Sequence, residues 1–211
     1  MRINKGAASA LVLSALVAIL ALVLALLGLG MKFNFGAGMT LSHLQLWAAI
    51  LTAAVVSFLF GWIRYDLAGA LALLAAVVHD QLLALALSSL LSNLFGLASA
   101  MPALVAGSLA FTYCLTVPVL REARAVGRSV SQREMSREDI ARQAIRNTRL
   151  LCRVTVAFSA LLILAFAFSG NLTLLGAVLP LLAGLAAALL SSRLVTPFLW
   201  AAITPRRKGR K

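Results

Sequence analysis

Acidic side chains are scarce in this chain: six Asp and Glu stand against 19 Lys and Arg in 211 residues. Two cysteines, Cys114 and Cys152, lie within or at the ends of apolar segments. They read as small buried hydrophobes rather than a disulfide framework. Only two histidines are present, His43 and His79, far apart and with no acidic cluster beside His43. That leaves no metal-ligand cluster and no nucleophile–base arrangement, so an enzyme is the least supported class, with no catalytic residue, metal or cofactor assigned. Charged residues make up 12% of the chain and hydrophobic ones 62%. With a mean hydropathy of +1.00, this is the composition of an integral membrane protein.

What is present is a series of apolar runs. Six have about the 20 residues that span a bilayer: Ala7–Gly30, Leu44–Ile63, Leu67–Ser92, Met101–Leu120, Leu150–Ser169 and Leu172–Ala202. The expected fold is all-α, a polytopic six-helix bundle forming one membrane domain over 1–211. A polar loop fills 121–149 and a basic tail 203–211. The first run starts after Arg2 and Lys5, as a signal peptide does. Its apolar core, from Leu11 to Leu29, is longer than a signal peptide's, and the small-residue pattern Ala8-Ser9-Ala10 precedes that core. A retained first span is expected.

Basic residues set the orientation. One side would hold Arg2, Lys5, Arg64, the eight arginines between 121 and 149, and the tail Arg206, Arg207, Lys208, Arg210 and Lys211. Only Lys32 falls opposite. Arg153 and Arg193 sit toward the basic ends of the last two spans. The positive-inside rule then places both termini in the cytoplasm. The net charge of +13 reads as this topology signal and not as a nucleic-acid surface. Phe33, Phe35 and Trp47 would mark the outer boundary, and Trp62, Tyr65 and Trp200 the inner one.

One acid breaks the pattern. Asp80 lies mid-way along the third run, whereas Asp66, Glu122, Glu134, Glu138 and Asp139 fall in expected loops. A carboxylate at that depth costs roughly 2.5–3.5 kcal/mol on insertion scales. Every fourth residue of the run is small or polar: Ala68, Ala72, Ala76, Asp80, Ala84, Ser88, Ser92. These form a ridge that lets another helix approach closely and turns Asp80 away from lipid. The fourth span returns as an antiparallel neighbour after a short connection. At the depth of Asp80 it carries a hydroxyl stripe, Ser108, Thr112 and Thr116, and one or more of these is expected to hydrogen-bond Asp80. The candidate intramembrane site is therefore Asp80, His79, Thr112 and Ser108. Two readings stay open: a neutral, hydrogen-bonded structural acid, or a proton site with His79 as titrating partner.

The long loop carries the second set of candidates. Ser136-Arg137-Glu138-Asp139 has a capping-box form with Asp139 in place of Glu. Ile140, Ala144, Ile145 and Leu151 follow at helical spacing. An amphipathic helix on the inner membrane surface is expected. Arg128, Arg133, Arg137, Arg142 and Arg146 would face anionic lipid or a protein partner. In the sixth span Gly176, Pro180 and Gly184 recur every four residues. Tight packing with a kink at Pro180 is expected, with a transport hinge as the alternative. Pro197 marks a second disturbance. The sequon at Asn171 reads as chance.

In order and spacing these pieces resemble the SecD/SecF family, specifically the SecF-type subunits of bacterial protein export, within the proton-driven RND-type membrane proteins. Phe33-Asn34-Phe35-Gly36-Ala37-Gly38-Met39-Thr40 resembles the Asp-Phe-x-Gly-Gly-Thr stretch after the family's first span, with Asn34 at the Asp. His79-Asp80 is similar to its Leu-x-His-Asp pattern. Thr116-Val117-Pro118-Val119, the segment from Met135 through Thr148, and Ser191-Ser192 with Pro197 resemble later family elements. The resemblance implies a SecD-like partner, the SecYEG channel and a bacterial cytoplasmic membrane. Two departures stand out. Only Met31 to His43 is available for the family's extracytoplasmic domain. The family's intramembrane Asp and Arg fall on Leu115 and Leu151, with Arg149 and Arg153 each two residues away. The resemblance thus implies a reduced SecF-like accessory subunit without a complete proton relay. A stand-alone ion- or proton-coupled transporter, or a membrane scaffold, is the alternative.

Overall fold

A computed structural model describes residues 43–95, 101–129 and 135–204, with the single positions Val12 and Ile19. The expected first span apart from those two positions, the stretch after it, Arg133 and residues 205–211 of the basic tail lie outside the described residues. Among the described residues the chain is helical, with no strand. The helices are α1 His43–Arg64, α2 Leu67–Phe95, α3 Met101–Arg128, α4 Arg137–Asn147, α5 Arg149–Ala167, α6 Leu172–Leu190 and α7 Thr196–Ile203. A π-turn, Ser191–Val195, joins α6 to α7. Five stretches are long and apolar enough to cross a membrane: Gln45–Arg64, Leu67–Leu91, Pro102–Arg128, Arg149–Ala167 and Leu174–Ile203. The protein is an all-α polytopic membrane protein.

The centre of the bundle is α2. It packs against α1, α3 and α6, and its ridge members Ala68, Ala72, Ala76, Asp80, Ala84 and Ser88 are all buried. Small residues there remove the steric bulk that would hold neighbouring helices apart. The closest approaches show how tight the packing is. A methyl group on Gly61 of α1 would come within 2.7 Å of Ala70 Cα. One on Gly184 of α6 would come within 2.9 Å of Ser108 Cα. By contrast α5 lies at the periphery. It exposes Leu151, Val154, Phe158, Leu161, Leu162 and Leu164, the face expected to meet lipid or another subunit.

Two features differ from the sequence reading. That reading ends the fourth span at Leu120, but α3 continues to Arg128. No proline or glycine follows Leu120 until Gly127 at the helix end, and Ala123 and Val126 carry the buried stripe onward. The second difference concerns α4. Its Ile140, Ala141 and Ala144 are buried. Ile140 and Ala144 belong to a cluster that includes Ala123 and Val126 of α3 and Trp200 of α7. The apolar face of α4 is thus covered by protein instead of the membrane surface. Ser136 caps it: Ser136 Oγ accepts from the Asp139 amide at 3.1 Å and donates to Asp139 Oδ2 at 2.6 Å. Asp139 is shorter than the usual Glu, so its carboxylate meets the cap hydroxyl rather than the cap amide.

The π-turn has a local cause. Pro197 lacks an amide hydrogen, and its ring crowds the carbonyl four residues back. Widening the preceding turn relieves this: the Thr196 amide donates to the Ser191 carbonyl, five residues earlier. The helix continues through Pro180, which lies inside α6.

Candidate intramembrane polar site

Asp80 is completely buried at the junction of α2, α3 and the π-turn. Its Oδ2 accepts from Thr112 Oγ1 at 2.6 Å and from Ser191 Oγ at 2.8 Å. Its Oδ1 faces His79 Nδ1 at 3.2 Å. Three segments distant in sequence therefore converge on one carboxyl group. The next residue, Gln81, donates through Nε2 to the Val105 carbonyl at 3.0 Å, a second polar tie from α2 to α3.

Of the expected hydroxyls, Thr112 reaches Asp80. Ser108 does not: its hydroxyl bonds back to the Leu104 carbonyl at 2.6 Å. Thr116 is buried, and its Oγ1 has no hydrogen-bond partner in the structure. His79 Nε2, Gln81 Oε1 and Thr196 Oγ1 are in the same condition. Ser191 is the site residue that reasoning from α2 and α3 alone does not reach. The available signal is the Ser191-Ser192 pair, the first hydroxyls after Thr173 in an apolar span.

Counting protons shows what the site can do. The Thr112 hydroxyl lies 2.6 Å from Asp80 Oδ2 and 2.8 Å from the Ser108 carbonyl. It has one hydrogen, and the carbonyl can only accept. With Asp80 ionised, Thr112 and Ser191 both donate to Oδ2, and a His79 Nδ1–H donates to Oδ1. With Asp80 neutral, its own O–H donates to Thr112 Oγ1, and Thr112 donates to Ser108. Rotating one hydroxyl serves either state with no movement of a helix.

Residues 34–206 match the family described as "Protein export membrane protein SecD/SecF, C-terminal". This chain belongs to the SecD/SecF family. No curated relative and no solved structure matches it. Family membership identifies it as a membrane protein of protein transport. Two leucines stand where the resemblance, and not the family match, places the relay pair. Leu115, where the resemblance places the relay Asp, is fully buried on α3. It belongs to an apolar cluster that includes Val77 and Val119. Leu151, where the relay Arg would fall, is 52% exposed on the outer side of α5. Arg149 and Arg153 flank it and are exposed as well. The partners of Asp80 are His79, Thr112 and Ser191, with no arginine among them.

The loop arginines divide. Arg142 pairs with Glu138 one turn earlier. Arg128 and Arg146 are exposed, and Arg137 is half-buried near Gly127. Arg133 lies outside the described residues.

Proposed function

We propose that this SecD/SecF-family chain is a SecF-like accessory subunit of the protein translocase. It would work with a SecD-like partner and the SecYEG channel in the bacterial cytoplasmic membrane, with both termini inside and six spans. In this reading Asp80 is a structural tie and the subunit has no complete proton relay of its own. The observation that supports it is the closed set of partners around Asp80: two hydroxyls from two other elements and the adjacent His79. Leucines at both relay positions support it further, because a leucine cannot carry a proton.

Replacement of Asp80 tests the reading. Asp80→Asn keeps the size and the hydrogen-bonding capacity, so export activity in cells and protein abundance should both persist. Asp80→Leu should lower abundance, because Thr112 and Ser191 lose their shared acceptor. Loss of export in an abundant, folded Asp80→Asn protein would instead establish a proton site.

One observation favours a second reading, a small proton-coupled transporter. His79 is buried beside Asp80 with its Nε2 unpartnered, and the hydroxyl arrangement serves both protonation states of the carboxyl. That reading requires the Asp80→Asn protein to be inactive on its own in vesicles.

A further inference from the structure

We propose that the turn between α1 and α2, with the facing side of α3, binds the phosphodiester headgroup of an anionic membrane lipid through Arg64, Arg121 and Arg124. This site is separate from the arginines of α4 and from Asp80.

Two contacts build it. Arg124 reaches across from α3 and donates through Nη1 to the Arg64 carbonyl at 2.8 Å, at the C-terminal end of α1. Its positive charge suits the negative end of that helix. Tyr65, in the turn, lies against α3 with its hydroxyl 3.4 Å from the Val117 carbonyl. Arg121 is one helical turn beyond Val117 on the same face of α3. The three guanidinium charges all act on the Tyr65 phenol, opposing the rise that its partial burial causes. Arg64, Arg121 and Arg124 therefore all lie in the neighbourhood of the half-buried Tyr65, in a turn that is otherwise exposed.

The two nearby acids, Asp66 in the turn itself and Glu122 beside Arg121, each accept a hydrogen bond from a group other than these arginines. Asp66 Oδ1 accepts from the Gly69 amide at 2.7 Å and caps α2. Glu122 Oε1 accepts from Asn147 Nδ2 at 2.7 Å. Among the described residues, no ion pair joins Arg64, Arg121 or Arg124 to a carboxylate. Crowding like charges at the edge of a low-dielectric region is unfavourable, and a phosphodiester anion relieves it with charge-assisted hydrogen bonds. Free phosphate offers the same chemistry. The surroundings favour lipid: Trp62, Ile63 and Leu67 flank the turn and are exposed, which gives acyl chains an apolar surface beside the headgroup.

The test uses the full chain in phosphatidylcholine vesicles with added phosphatidylglycerol, either lipid brominated on its acyl chains. Bromine quenches Trp62 fluorescence on contact, and a Trp62→Phe protein supplies the background from Trp47 and Trp200. Brominated phosphatidylglycerol should quench Trp62 at about tenfold lower mole fraction than brominated phosphatidylcholine. R121Q/R124Q should remove that preference. R121K/R124K, which retains the charge, should keep most of it, and R142Q should keep all of it. Equal quenching by the two lipids in the unaltered protein would overturn the proposal, as would a preference that survives R121Q/R124Q. Loss of the preference on adding millimolar inorganic phosphate, at constant ionic strength, would overturn lipid as the occupant.

Discussion

At the scale of single residues, Asp80 organises the interior because it offers one acceptor oxygen to two helices. Thr112 and Ser191 both point at Oδ2. Hydrogen bonds inside membrane proteins average about 0.6 kcal/mol and reach about 1.7 kcal/mol. Thr112→Val should therefore lower stability by about 1 kcal/mol, and Ser191→Ala by a similar or smaller amount. Reversible unfolding in detergent measures both. The two losses should not add, because they share an acceptor, and a double-mutant cycle should show coupling. Additive losses would mean that the hydroxyls act independently of Asp80. Much of this site is legible in the sequence. The four-residue repeat of small side chains marks the face of α2, and antiparallel depth matching leads to Thr112. Ser191 is not legible from those two helices, because its approach depends on how α6 and the π-turn cross α2.

At the scale of elements, close packing depends on missing side chains. Gly184 faces the backbone of Ser108, which cannot move aside as a flexible side chain can. Gly184→Val should separate α3 from α6 and cost about 1–3 kcal/mol as overpacking. It should also weaken the hold on Asp80, since Thr112 and the π-turn lie on the two separated elements. A thermal-shift measurement on the purified protein reads this, and an unchanged transition would contradict the close contact. The bracket formed by α4 gives a gentler test. Ser136→Ala removes its cap and should cost about 1 kcal/mol. Faster amide exchange should follow in α4, and in the end of α3 that it covers. The capping box and the apolar spacing of α4 are readable from its residues. Its seat on Ala123, Val126 and Trp200 is not, because a span that stops at Leu120 lacks the residues that receive it. The disturbance at Pro197 is visible in the sequence, but its form as a π-turn beginning at Ser191 depends on local backbone accommodation that composition does not encode.

At the scale of the whole molecule, the chain is a membrane protein of the SecD/SecF export family, and in the proposed function it completes a larger assembly. The peripheral α5 supports this, with its broad apolar face and the exposed Leu151 where the resemblance expects a relay arginine. If the relay is absent, collapsing the proton gradient should leave any activity of this subunit alone unchanged. A drop in such activity in vesicles would restore the transporter reading. The all-helical membrane fold follows directly from composition and from the length of the apolar runs. The expected first span is the part of that fold on which the described residues do not bear.

The most direct measurement is recovery of the chain's neighbours from native membranes. The protein would be tagged at its C-terminus and purified in mild detergent, and its companions identified by mass spectrometry. A SecD-like protein together with SecY is the predicted result. A clean monomer or homo-oligomer, free of any export component, would contradict the account.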